Sequence, residues 1–166
     1  MQPDISPVIT ERLMLTMQGA YMLDWHGIHG IDHWRRVREN GLRIARQNGA
    51  DQVVVELFAY LHDIKRRNDG HDPRHGQRAA EWIVRLDEGV LPLDSEALYL
   101  LTYACRHHTQ GLTDADITVQ TCWDADRLDL GRVGIIPKTE RLCTDVARRP
   151  EILTWAIHRS QAARQR

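Results

Sequence analysis

Apolar residues recur at helical spacing along almost the whole chain, and this period most constrains what the chain can fold into. Alternation of the kind a half-buried strand needs is scarce, and no Asn-Gly turn joins two extended runs. The single Asn48-Gly49 follows a helical segment and reads as its stop. The spacing predicts helices over about 8–22, 31–47, 51–64, 74–87, 94–108, 115–130, 138–148 and 150–163. Breaks fall at Gly27 and Gly30, at Gly49, through Asn68-Asp69-Gly70-His71-Asp72-Pro73, from Gly89 to Pro92, from Thr109 to Thr113, and at Pro137 and Pro150. No repeat, low-complexity stretch or linker divides the chain. A single all-α domain over 1–166 is expected, and 166 residues suffice for one full core.

Charge and cysteine usage narrow the function classes. The formal net charge is −1, which gives no support to a stable nucleic-acid partner or a membrane-surface binder. Cys105, Cys122 and Cys143 are odd in number and widely spaced, with no Cys-x-x-Cys pair, so no disulfide framework is expected. The segment MQPDISPVITERL has acids and prolines where a secretory leader needs basic and then apolar residues. A cytoplasmic protein without a membrane span is the expectation. Oligomeric state has no readable signal.

The chemistry is carried by His33, His62-Asp63 and Asp126, four metal-type side chains from three separate segments. Helical spacing puts His33 with Val37, Gly41 and Ile44; His62 beside Val54, Phe58 and Leu61; His75 with Ala79, Trp82 or Ile83, and Leu86; and Asp126 with Val119, Trp123 and Leu130. Each candidate therefore points inward from a different helix. A buried aspartate needs a cation or strong hydrogen bonds to offset desolvation. Imidazole with carboxylate suits Mn²⁺, Fe²⁺, Co²⁺, Ni²⁺ or Mg²⁺ better than a structural thiolate-bound zinc. A lone inward histidine is more often a hydrogen-bonded core residue, and His-Asp recurs here as His71-Asp72, which sits before Pro73 and reads as a turn. The specificity lies in the whole set.

Three segments, His29-Gly30-Ile31-Asp32-His33-Trp34-Arg35-Arg36-Val37, Leu61-His62-Asp63-Ile64 and Asp124-Ala125-Asp126-Arg127-Leu128-Asp129, resemble the HD superfamily, over roughly residues 29–131. The resemblance implies a single-domain helical bundle with His33, His62, Asp63 and Asp126 as metal ligands. It also implies hydrolysis of a small-molecule phosphate ester, a nucleotide or another mono- or diester. Asp124 and Asp129 then read as supporting groups, partners of Arg127 or solvated residues. His75 and the pair His107-His108 resemble the extra histidines of the two-metal branches. Asp63 would then bridge two ions, with His75 and either His107 or His108, His107 preferred, completing the second site. The chain departs from the HD-GYP pattern after that pair, reading HHTQGLTD, so cyclic di-nucleotide specificity is not implied. Lys65 and Arg66, directly after the pair, are the expected phosphate contacts, with Arg35, Arg36 and Arg127 as further candidates. His29 or His108 is the expected proton donor to the leaving oxygen. Two alternatives accompany this reading: a di-iron oxygenase with the same ligand set, and a metal-bound regulatory module.

Overall fold

Helix α3 (Gln52–Leu61) is buried on all sides from Val54 to Leu61, and that makes it the axis of the fold. This holds in a computed structural model, which describes residues 4–164. The sequence VVVELFAYL supplies apolar groups around the whole circumference, and Asp51 starts the helix by accepting from the amides of Val53 and Val54. Against α3 pack α2 (Ile31–Asn48), α5 (Ser95–His107) and α6 (Ile117–Arg127). Helix α4 (His75–Ile83) lies along α5. Helix α1 (Glu11–Ala20) contributes Leu13, Met14 and Met17 to the same core. The described residues contain helices and no strand, so the fold is all-α. None of these helices is long and apolar enough to cross a membrane.

Close approach of α2 to its neighbours depends on Gly41. A Cβ there would lie 2.5 Å from Val55 Cγ1 and 3.2 Å from Ala125 Cβ, so only glycine lets α2 meet both α3 and α6. The Asn48-Gly49 stop forms as expected, with Gly49 at φ 78° in the left-handed region. Helix α7 (Pro150–Arg164) packs on a 3₁₀ turn at Leu130–Val133 and closes a smaller cluster of Ile44, Leu128, Leu142, Val146, Ala147, Ile152 and Ala156.

The expected helix at 138–148 does not form. Only Thr139–Arg141 is helical, as one 3₁₀ turn. The buried carboxylate of Asp124 accepts from Cys143 N at 2.7 Å, Thr144 N at 2.8 Å and the Thr144 hydroxyl at 2.8 Å. That long-range anchor takes the amides a helix would have used. Four helices are clearly shorter than expected at their ends: α1 starts at Glu11, α3 stops at Leu61, α4 stops at Ile83 and α6 stops at Arg127, while α2 and α7 match within a residue. His71-Asp72 lies in a loop, with Asp72 accepting from Arg67 N and Arg78 Nη2.

Candidate metal centre

The four inward positions converge. His33 comes from the first turn of α2, His62 caps α3, Asp63 follows it, and Asp126 comes from the last turn of α6. His33 Nε2 lies 3.2 Å from His62 Nε2, and Asp126 Oδ1 lies 3.4 and 3.6 Å from these two nitrogens. His75, the first residue of α4, and His108, just past α5, form a second pair with Nε2 atoms 2.8 Å apart. Asp63 stands between the pairs. Its Oδ2 faces His33 and His62 at 3.7 and 3.6 Å, while its Oδ1 faces His75 and His108 at 2.9 and 3.7 Å.

Local structure fixes which nitrogen of each ring faces inward. His33 Nδ1 donates to Asp129 Oδ2 at 2.7 Å. His62 Nδ1 donates to the Phe58 and Ala59 carbonyls at 3.1 Å each, an arrangement its place at the end of α3 dictates. His75 Nδ1 donates to Asp72 O, and His108 Nδ1 donates to Cys105 O at 2.7 Å. A carbonyl or carboxylate can only accept, so all four Nδ1 atoms carry protons. In the neutral rings all four Nε2 atoms then present lone pairs. Two pairs of lone pairs at 2.8 and 3.2 Å, together with the carboxylates of buried Asp63 and partly exposed Asp126, repel one another unless positive charge lies between them.

The titration behaviour follows from the same geometry. Burial, with Arg132 adding to it, pulls the His33 imidazolium down to about 4 despite Asp129. Burial likewise lowers His108, against the pull of Asp63. Burial opposes the His62 imidazolium too, but Asp63 and Asp126 outweigh it and raise its pKa. Desolvation favours the neutral forms of Asp63, which is buried, and of Asp126, which is partly exposed, yet the surrounding imidazoles hold both well below the ordinary carboxylate range. The centre thus keeps two ionised carboxylates among its imidazoles. The groups His33, His62, Asp126 and His62, Asp63, His108 each bring their donor atoms within 4.8 Å of one another and can hold a metal ion. Bonds of about 2.0–2.2 Å to one ion place adjacent donors roughly 3.0–3.5 Å apart, close to the separations found.

Other expected site residues divide. Arg66 reaches the centre, with Nε donating to Asp63 Oδ1 at 3.3 Å. Lys65 does not: its Nζ donates to the Ala20 carbonyl at 3.4 Å, turned away from the cluster. His107, the preferred histidine of its pair, is outside the centre as well. Its Nδ1 meets Gln110 Oε1 at 3.0 Å and its ring packs on Tyr103, and His108 holds the inner position instead. Helix α5 ends at His107 and tightens to 3₁₀ at His108, which settles the one-residue choice. Asp129 pairs with His33 and Arg36, not with Arg127; Asp124 anchors the 143–144 backbone. Arg35 is engaged by Asp4 and Asp32, away from the centre.

His29 is 5% exposed, and its Nδ1 donates to Asp63 Oδ2 at 3.0 Å. Arg132 was not anticipated. It bonds the Ile28 and Asp129 carbonyls and lies 3.5 Å from His29 Nδ1, in a segment with no motif signal. An open pocket of about 490 Å³ leads to the centre, lined by His29, Asp63, Arg66, His75, His108 and Asp126 and also by Arg127, Arg132, Leu130 and Val133. No protein-family model, curated protein or solved structure matches this chain.

Proposed function

We propose that the protein is a metal-dependent phosphohydrolase of HD type, acting on a nucleotide or another phosphate mono- or diester. The observation that carries this reading is Asp63, whose two oxygens each face a separate pair of inward Nε2 atoms at the floor of an open pocket. His33, His62, Asp126 and Asp63 Oδ2 would hold one ion, and His75, His108 and Asp63 Oδ1 the other. Nitrogen and oxygen donors without sulfur favour Mn²⁺, Fe²⁺, Co²⁺ or Ni²⁺, with Mg²⁺ less suited to so many imidazoles. When bound, such ions supply Lewis-acid polarisation of phosphoryl oxygens and activation of water.

The chain's own groups supply the rest. Asp63 accepts a proton-bearing ligand between the two histidine pairs and orients it. His29, donating to Asp63 from the pocket wall, is placed to pass a proton to a leaving oxygen. Among the described residues Arg127 bonds only the carbonyls of Leu112 and Arg141 and the sulfur of Cys143, so no carboxylate there neutralises it and its charge is available to a phosphate in the pocket. Arg66 adds a second cation to the pocket lining.

The test is turnover of a panel of nucleotides and phosphate esters by protein loaded with each divalent metal, beside Asp63→Ala. Metal-dependent release of phosphate or nucleotide, abolished in a variant that keeps its circular dichroism, is the expected result. A folded Asp63→Ala with wild-type turnover contradicts it. Five side chains around a shared carboxylate also suit a di-iron oxygenase. Iron loading that yields O₂ consumption with an organic substrate and no phosphate release would select that reading.

A further inference from the structure

A cavity larger than the one over the metal centre lies beside it. A cleft of about 870 Å³ opens on the far side of His33, between the start of α2, the end of α7 and the loop at residues 26–28. Its lining is markedly cationic: Arg35, Arg36, Arg132, Arg159 and Arg164, with His26 and His158. Asp32 is the one carboxylate among the lining residues. The other acids that meet these guanidiniums, Asp4, Glu39 and Asp129, lie outside the lining.

Among the described residues, several donors in this cleft have no acceptor. Arg36 uses Nε and Nη2 on Asp129 and leaves Nη1 unused. Arg159 spends its two terminal nitrogens on Asn40 and Glu39 and leaves Nε unused. Arg164 and His158 make no side-chain hydrogen bond among the described residues, and no side chain caps the first turn of α2 at Gly30. Ile28, Ala162 and Ala163 give the cleft a small apolar wall.

We propose that this cleft is a second binding site, for a small molecule carrying a chain of phosphoryl groups. Separate guanidiniums spaced around one volume match successive phosphates better than a single phosphate, because each fork takes two oxygens. The volume exceeds what inorganic phosphate fills and has room for an organic body against the alanine wall. The occupant touches Arg36, and Arg36 grips Asp129, which orients His33. The cleft is thereby placed to influence the metal centre, a consequence that rests on the proposed function; the binding itself does not.

The test is calorimetric titration of tripolyphosphate into three proteins without turnover: wild type, Arg159→Gln/Arg164→Gln, and His75→Ala/His108→Ala. The expected result is saturable binding in wild type, weakened at least tenfold in the arginine variant and retained in the histidine variant. Arg164→Gln alone guards against misfolding, since Arg164 is exposed and bonds nothing in the described fold; it should weaken binding measurably. Binding lost only in the histidine variant would assign the anion to the metal centre and overturn the proposal. Absent binding, or binding indifferent to both arginine variants, would overturn it equally. Phosphatase activity enters none of these readouts, so a failed hydrolase reading leaves this result separate.

Discussion

Replacing Asp129 by asparagine isolates what holds His33 in place. Asp129 is 1% exposed, accepts from His33 Nδ1 at 2.7 Å and takes Arg36 Nε on its other oxygen at 2.7 Å. Asparagine preserves the shape and one acceptor but removes the charge that makes the His33 ring a stronger donor to a cation. It also strips Arg36 of its carboxylate. Partners of this kind typically contribute 10–100-fold in metal affinity. That corresponds to about 1.4–2.8 kcal/mol for the ion held by His33, His62 and Asp126. The unpaired Arg36 adds a folding cost of about 1–3 kcal/mol. The assay is competition with a chelating indicator under native conditions, resolving each bound ion. Asp124→Asn is the control, because that buried carboxylate bonds the 143–144 backbone and the Thr144 hydroxyl and not the histidines. It should lower thermal stability while leaving metal affinity within threefold of wild type. If Asp129→Asn binds both ions as tightly as wild type, or loses no more affinity than Asp124→Asn, the reasoning about orientation of His33 fails.

Gly41→Ala should destabilise by about 1–3 kcal/mol in chemical denaturation, since its Cβ would meet Val55 Cγ1 at 2.5 Å in a packed helix crossing. Gly76→Ala should cost the second metal specifically, because a Cβ there meets the Cys105 carbonyl at 2.3 Å and His108 Nδ1 at 2.9 Å and forces α4 away from α5; unchanged metal content would count against the pairing of His75 with His108. Asp51→Ala should lose about 1 kcal/mol of stability through the start of α3, read as a shift in denaturation midpoint without loss of activity at low temperature. Asp4 is held below its ordinary value near 3.8, first by its bond to Arg35 and then against a burial penalty, so its contribution is full above that value and fades as pH falls through the lower folded pKa. The stability gap between wild type and Asp4→Asn should therefore be present at neutral pH and shrink toward acid; a gap that widens would contradict the assignment.

The parts legible in the sequence were those set by local period and by residue type. Helical spacing located the main helices and aimed His33, His62, His75 and Asp126 inward, and the Gly49 stop and the His71-Asp72 loop followed from local chemistry. What escaped depended on distant contacts or on one residue of phase. His107 and His108 differ by about 100° of rotation on a helix, and the tightening to 3₁₀ at that point decides between them. Lys65 and Arg66 differ in the same way in the turn after α3. The segment 138–148 has the composition of a helix, but Asp124, some twenty positions earlier, claims its amides. Arg132 reaches His29 across 103 positions, a contact that no local pattern encodes.

Metal stoichiometry tests the central claim most directly. Elemental analysis of fully loaded wild type should give two divalent ions per chain, and His75→Ala/His108→Ala should retain one, while His107→Ala retains both. One ion in wild type, unchanged in the double variant, would contradict a centre in which Asp63 bridges two pairs of histidines.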